Sequence, residues 1–178
     1  MDTPQVHLVA GSTGAGKTTC AANQTSQTIV PPVFKPQPQL NMPTQLEIAA
    51  FLAQEFPHAK YRIEAVGDRS ATVRHAVGAT ELRPGGTVAG PVLMAVADVA
   101  LYVALLGEIG IVPLAVTTNL SINFMRKPSG SADILAVCRL MKLGRTLAVG
   151  EVTLYSEGDP EPVAHVVGTY AIPRGRAV

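Results

Sequence analysis

The longest apolar run in the sequence extends from Pro91 to Leu106 and contains a single charged residue, Asp98. Its content of Ala, Leu, Val and Met favours a helix, and Gly90-Pro91 is a typical helix start because proline fits the first turn. The run is shorter than the roughly 20 residues that cross a bilayer. We therefore predict a helix that is buried on nearly all sides in a soluble protein and ends near Gly107.

Strand-like patterns flank this helix on both sides. Upstream, Thr44 and Glu47 form a capping box for a short helix, and two β-type runs joined by Gly67-Asp68 predict a hairpin. Downstream, residues 116–124 alternate between an apolar and a polar face, with Thr117 on the polar face. Three further β-type runs are joined by short turns and comprise residues 133–142, 146–155 and 163–172. The order predicts an α+β fold in which a sheet wraps one buried helix and the last four strands form an antiparallel meander.

Asp98 is the candidate catalytic residue. Burial of an unpaired carboxylate costs several kcal/mol in order of magnitude, so a carboxylate in such a helix needs a partner or a use. Gly90 lies two turns earlier, where a backbone N–H is free and the helix dipole favours negative charge. A base in mid-helix and an oxyanion donor at the helix start suit acyl transfer or hydrolysis at a carbonyl. The alternative is that Asp98 pairs with a basic residue across a subunit interface, and the residues alone leave both readings open.

A second motif lies near the N-terminus. Residues 11–18 match the phosphate-binding loop G-x-x-x-x-G-K-[ST] and follow a short apolar run. In a nucleotide hydrolase or kinase, Lys17 would reach the phosphates and Thr18 would bind Mg²⁺. The proline-rich segment that follows leaves no room for the βαβ unit that this motif requires. We expect residues 1–43 to be a poorly ordered tail with an isolated loop fragment and a linker, and residues 44–178 to form the folded domain.

Composition narrows the classes of partner and compartment. The net charge of +1 offers no basic surface for nucleic acid. Cys20 and Cys138 suit neither a metal site nor a disulfide framework. The N-terminal residues lack the pattern of a secretory leader. We expect a cytoplasmic protein that uses no metal or cofactor and binds neither nucleic acid nor membrane.

Three segments resemble the PaaI-like hotdog thioesterases. Residues 90–98 resemble the start of the central helix in that family, residues 116–125 are similar to the strand that follows it, and residues 143–152 to a later turn and strand. The resemblance spans residues 44–173 in the family's order. It implies a six-stranded antiparallel sheet around the long helix, and a dimer that often pairs into a tetramer. It also implies active sites at the dimer interface, an acyl-CoA substrate and hydrolysis of its thioester.

The resemblance also assigns roles to residues. Asp98 matches the catalytic carboxylic acid, which acts as general base or nucleophile. Gly90 matches the residue whose N–H polarises the thioester oxygen, and Thr117 matches a hydroxyl that the other subunit supplies and that helps to orient the water. The candidates for contact with the CoA moiety lie in two loops and a strand end: Arg126, Lys127, Lys142, Gly144 and Arg145.

Two departures from the family pattern affect the site. Ala89-Gly90-Pro91 stands where members usually have His-Gly-Gly. Upstream, Arg83-Pro84-Gly85-Gly86 stands where members often place a catalytic Asn or Asp. Arg83 could polarise a carbonyl, or it could bind a carboxylate or a phosphate. The alternative function that these departures suggest is a non-catalytic hotdog module that binds acyl-CoA.

Overall fold

The computed structural model describes residues 42–173, which lie within one unit, Pro38–Val178. The helices are α1 (Gln45–Glu55) and α2 (Gly90–Ile109), with a 3₁₀ turn at Ala79–Glu81. The strands are β1 (Tyr61–Gly67), β2 (Ser70–His75), β3 (Leu82–Arg83), β4 (Thr87–Val88), β5 (Val116–Phe124), β6 (Ile134–Leu143), β7 (Leu147–Ser156) and β8 (Pro162–Ala171). The phosphate-binding loop at residues 11–18 lies outside the described residues, so its role and the boundary of the tail stay predictions.

Helix α2 confirms the predicted central helix, but its burial is uneven. From Ala100 to Gly107 every residue is buried. The first half instead leaves an exposed stripe that consists of Pro91, Met94 and Ala95, and Asp98 continues this stripe in a half-buried position. The prediction of burial on nearly all sides is therefore right for the second half and wrong for the first. By length and composition α2 could also cross a membrane, a criterion that a buried core helix meets as well.

The main sheet has six antiparallel strands in the order β1-β2-β6-β7-β8-β5. This confirms the predicted α+β hotdog architecture, a sheet wrapped around one long helix. The predicted four-strand meander is wrong at one point, because β5 pairs with β8 and not with its sequence neighbour β6. The chain from residue 125 to 133 therefore carries β6 away from β5, and β5 becomes an edge strand of the sheet.

Two glycines set how closely α2 approaches the sheet. Gly150 on β7 and Gly168 on β8 are direct partners across the ladder. A Cβ atom added at Gly150 would lie 2.6 Å from Leu101 Cδ2, and one at Gly168 would lie 2.5 Å from Leu101 Cδ1. The Leu101 side chain therefore occupies the space that two missing Cβ atoms leave. Helix α1 covers the other side of α2 with Ile48, Leu52 and Phe51, whose ring lies 6.4 Å from that of Tyr102.

Candidate active site

Asp98 accepts two side-chain hydrogen bonds on one of its carboxylate oxygens. The Thr117 hydroxyl donates to Asp98 Oδ1 at 2.5 Å, and the Tyr170 hydroxyl lies 2.8 Å from the same atom and 3.1 Å from the Asp98 carbonyl oxygen. Bonds from hydroxyl groups to a carboxylate are among the stronger ones in proteins. Within residues 42–173, no hydrogen bond or ion pair occupies Oδ2. One oxygen is thus fixed and the other is available to a substrate or a water molecule.

A β-bulge brings Thr117 to Asp98. In the β5–β8 ladder Thr117 pairs with Tyr170 and Asn119 pairs with Thr169, so Thr118 is an extra residue without a partner. Partners in an antiparallel ladder point to the same face, and the inserted residue shifts the alternation. Thr117 consequently shares the helix-facing side with Leu120 and Ile122. The predicted strict alternation, which put Thr117 on the opposite face, is wrong for this reason.

Thr117 reaches Asp98 of its own chain. The family resemblance implied that this hydroxyl is supplied by the other subunit, whereas here the donor and the acceptor lie on β5 and α2 of one chain. The helix carboxylate and its orienting hydroxyl therefore form a unit within each chain.

Tyr170 is a site residue that the sequence reasoning missed. Its side chain is buried, and its ring stacks on Tyr102 with centroids 5.9 Å apart. Burial and then the negative charge of Asp98 raise the pKa of Tyr170 far above its usual value of 10.0, so the hydroxyl keeps its proton and can donate. The signal was present in β8, because period-two alternation places Tyr170 on the same face as the buried Val166. A hydroxyl on a buried face needs a polar partner.

The start of α2 offers one free backbone donor. The Ala89 N–H donates to the Glu81 carbonyl at 2.9 Å, and the N–H groups of Val92 and Leu93 both donate to the Ala89 carbonyl, at 3.0 and 3.4 Å. Pro91 has no N–H. The Gly90 N–H has no acceptor among residues 42–173, and it lies at the positive end of the helix dipole. Gly90 is therefore the source of a free N–H in this helix turn, and its role as oxyanion donor stays a prediction.

A cavity of about 430 Å³ opens beside Gly90. Its walls combine apolar side chains, including Leu93 and Phe124, with the cations Arg83, Arg126 and Lys127. A Cβ atom at residue 90 would lie 3.1 Å from the Phe124 ring, so the absence of a side chain lets the aromatic ring approach the helix start. An apolar pocket with a free N–H and several cations can hold an acyl group that is attached to an anionic carrier.

The five candidates for CoA contact fall into two groups. Arg126 and Lys127 follow the end of β5, and Arg126 forms an ion pair with Glu161. Lys142, Gly144 and Arg145 lie at the β6–β7 turn, which is adjacent to the beginning of β5 because Ala171 pairs with both Leu147 and Val116. Nine residues of β5, at about 3.4 Å per step, separate the two groups by about 27 Å. In one chain the predicted cation cluster is therefore split.

Comparison with known proteins gives consistent matches. The family model of the thioesterase superfamily matches residues 85–163. A thioesterase candidate from a Silicibacter species is 46% identical with a TM-score of 0.68, over 72% of this chain and 91% of that one. A variant of the phenylacetic acid degradation protein PaaI from Thermus thermophilus is 25% identical with a TM-score of 0.58, over 70% of this chain and 99% of that one. A search of proteins with curated functions gave no match.

A third structure shows the same fold at lower identity. It is a thioesterase-type protein from Streptococcus pneumoniae solved with coenzyme A, 21% identical with a TM-score of 0.58, over 64% of this chain and 85% of that one. The identity and coverage of the Silicibacter relative establish membership, and the family match, which spans α2 and β5 to β7, agrees with it. The chain belongs to the hotdog-fold thioesterase superfamily, with PaaI proteins among its structural relatives, and this membership supports hydrolysis of a thioester as its class of reaction.

Proposed function

We propose that the protein hydrolyses acyl-CoA thioesters, with Asp98 as general base or nucleophile and the Gly90 N–H as the donor to the thioester oxygen. The observation that carries the proposal is the state of Asp98. It is the only charged side chain between Pro91 and Gly107, and its Oδ1 is fixed by Thr117 and Tyr170. A carboxylate with one oxygen anchored and the other unoccupied is suited to accept a proton in a defined direction.

The reaction follows from these groups. With Asp98 as base, Oδ2 takes a proton from water while the water oxygen attacks the thioester carbon. The negative charge that develops on the carbonyl oxygen is stabilised by the Gly90 N–H at the helix start. The carbon–sulfur bond then breaks and the departing CoA sulfur recovers the proton from Asp98. One thioester and one water molecule yield one carboxylic acid and one free thiol.

The two groups reach one substrate through a dimer. Gly90 and Asp98 are eight residues apart on α2, which at about 1.5 Å per residue separates them by about 12 Å along the helix axis. This distance exceeds what a single carbonyl carbon and its oxygen can bridge. A two-fold axis that sets the α2 helices side by side in opposite directions would bring Asp98 of one chain to Gly90 of the other. Each dimer would then contain two complete sites.

The exposed apolar surface supports this assembly. The stripe of Pro91, Met94 and Ala95 on α2 is uncovered, and both ends of β5 expose large side chains, with Val116 55% and Phe124 54% accessible. Several large apolar side chains exposed on one helix and on one edge strand favour an interaction site. Strand β5 is also an edge strand whose free backbone groups can pair with a second copy.

The dimer also accounts for the split cations. If two β5 strands pair in opposite directions, the end that leads to Arg126 and Lys127 meets the beginning of the partner strand, where Lys142 and Arg145 lie. The resulting cluster suits the phosphates of CoA, for which Arg and Lys are the preferred ligands. The relative from Streptococcus pneumoniae, which was solved with coenzyme A, supports this choice of carrier.

The test is a thioesterase assay of the purified protein on a panel of acyl-CoAs, with Asp98→Asn and the matched control Asp68→Asn. Asp68 is an exposed carboxylate in the β1–β2 turn. We expect hydrolysis by the wild type and the control and a loss of about 10³-fold or more in Asp98→Asn, in the range seen for essential catalytic groups. Full activity in Asp98→Asn would refute the assigned role. Binding of acyl-CoA by the wild type without turnover would instead support the non-catalytic module.

A further inference from the structure

We propose that Arg83 is a catalytic residue of this reaction, and that its guanidinium gives the thioester oxygen a second hydrogen bond as negative charge develops on it. The inference rests on the proposed function and adds a residue to its machinery. The first observation is that the start of α2 offers too few hydrogen-bond donors for an oxyanion site. Oxyanion sites combine two or more donors, whereas this helix turn provides one.

The hydrogen bonds around Ala89 explain why only one donor is free at the start of α2. The N–H of Ala89 is engaged with the Glu81 carbonyl at 2.9 Å, and its carbonyl engages the N–H groups of Val92 and Leu93. Pro91 has no N–H to give, and the Ala89 side chain has no donor. Gly90 is therefore alone in this turn, and a second donor must come from another element that borders the cavity.

Arg83 borders the same cavity as Gly90. Its side chain is exposed and forms no hydrogen bond or ion pair with residues 42–173, in contrast to Arg126, which is paired with Glu161. Guanidinium groups remain charged at all physiological pH values and donate strongly to oxygen. An unpaired guanidinium that borders the same cavity as a free backbone N–H can donate to the same substrate oxygen.

The short β3–β4 hairpin, which directly precedes α2, fixes the backbone of Arg83 close to the helix start in sequence. Leu82 pairs with Val88 and Arg83 with Thr87, and the chain then enters α2 directly. The turn between the strands uses Gly85 and Gly86 at φ values of 97° and 72°, which favour glycine. Arg126 and Lys127 border the cavity from a separate loop after β5 and are the candidates for phosphate contact there. Among the three cations that border the cavity, Arg83 is the one that lies in the hairpin leading directly into α2.

The experiment compares wild type, Arg83→Ala and Arg83→Lys on two thioesters with the same neutral acyl group. One is the acyl-CoA and the other is the acyl-N-acetylcysteamine thioester, which has no phosphates. We expect kcat to fall by about 10²–10³-fold in Arg83→Ala on both substrates, the usual cost of one oxyanion donor, with KM changed by less than about threefold. Added methylguanidinium should restore part of kcat in Arg83→Ala. The control Arg139→Ala removes an exposed arginine of β6. Its kcat should match that of the wild type on both thioesters and should not change when methylguanidinium is added.

Other results would overturn the inference. A rise in KM on the CoA ester with no loss on the short thioester would assign Arg83 to phosphate binding. If kcat is unchanged on both neutral thioesters and falls only on a third thioester whose acyl group carries a carboxylate, Arg83 is a specificity residue and not an oxyanion donor. Unchanged kcat in Arg83→Ala, with an active wild type, would refute the role of Arg83 and leave the proposed function intact. A wild type that hydrolyses neither thioester would refute the proposed function, and the role of Arg83 with it.

Discussion

The anchoring of Asp98 by Tyr170 leads to a quantitative prediction for Tyr170→Phe. The substitution removes one hydroxyl and keeps the ring, its burial and its stacking on Tyr102. A hydrogen bond to a charged group contributes about 1.5–3 kcal/mol to stability, and for a domain of this size 1 kcal/mol changes Tm by about 3–4 °C. We therefore expect Tm to fall by about 4–12 °C at equal protein concentration. Because the carboxylate is held less firmly, we also expect kcat to fall about tenfold or more, equivalent to about 1.4 kcal/mol.

The assays are thermal unfolding by circular dichroism and steady-state hydrolysis of an acyl-CoA. Tyr155→Phe is the matched control, since the Tyr155 hydroxyl on β7 makes no hydrogen bond within residues 42–173, and its Tm should change little. Thr117→Val and the double variant complete a cycle. Both hydroxyls bind the same oxygen, so their effects should not add. If Tyr170→Phe matches the wild type within 1 °C or so in Tm and in kcat, the hydroxyl has no anchoring role and the reasoning is wrong.

Two further predictions concern packing and pH. Gly168→Ala should lower the free energy of unfolding by about 1–3 kcal/mol, because the added methyl group overpacks against Leu101. In a Leu101→Ala background the same substitution should lower it by less than about 1 kcal/mol. Chemical denaturation measures both values, and an equal loss in the two backgrounds would contradict this packing. His75 is buried, and burial lowers its pKa below 6.5, so its ring is neutral in the folded state at neutral pH. Near pH 6.5 the imidazole of the unfolded chain binds a proton that the folded chain does not bind. The free energy of unfolding should therefore decrease as the pH falls from about 6.5 to the lowered pKa of the folded state. Denaturation of wild type and His75→Phe between about pH 8 and pH 5.5 should show a smaller decrease in the variant, and equal slopes would mean that His75 does not titrate differently on folding.

The elements of the fold could be predicted because their signals are local. The apolar run with Gly90-Pro91 at its start identifies α2, and the alternating runs separated by short turns identify the six long strands. The pairing of β5 with β8 could not be inferred in this way. This pairing depends on where the segment from residue 125 to residue 133 leads the chain. The segment has no periodic pattern or turn signal that indicates which strand lies next to β5.

The candidate site could be proposed from the sequence where an unusual residue type marks a position. Asp98 is the only charged residue in its apolar run, and Gly90 precedes a proline at a helix start, so both could be singled out. Their catalytic roles stay predictions. The orientation of Thr117 depends on a bulge at Thr118, and a single inserted residue leaves no trace in the alternation of a polar run. Tyr170 is 72 residues from Asp98 in sequence, and only the register of the β5–β8 ladder brings the two together.

Strand β5 joins the two halves of the proposed site. Thr117 at its beginning holds Asp98, and Phe124 at its end packs against Gly90. The halves are therefore at opposite ends of one edge strand. A two-fold axis near the middle of β5, at Leu120, would place the Asp98 end of each chain against the Gly90 end of its partner. The bulge next to Thr117 fits this arrangement, because it turns that side chain towards α2 and leaves the remainder of the strand regular. In such a dimer the strand that mediates assembly also positions the carboxylate, so loss of the interface should remove catalysis even if each chain remains folded.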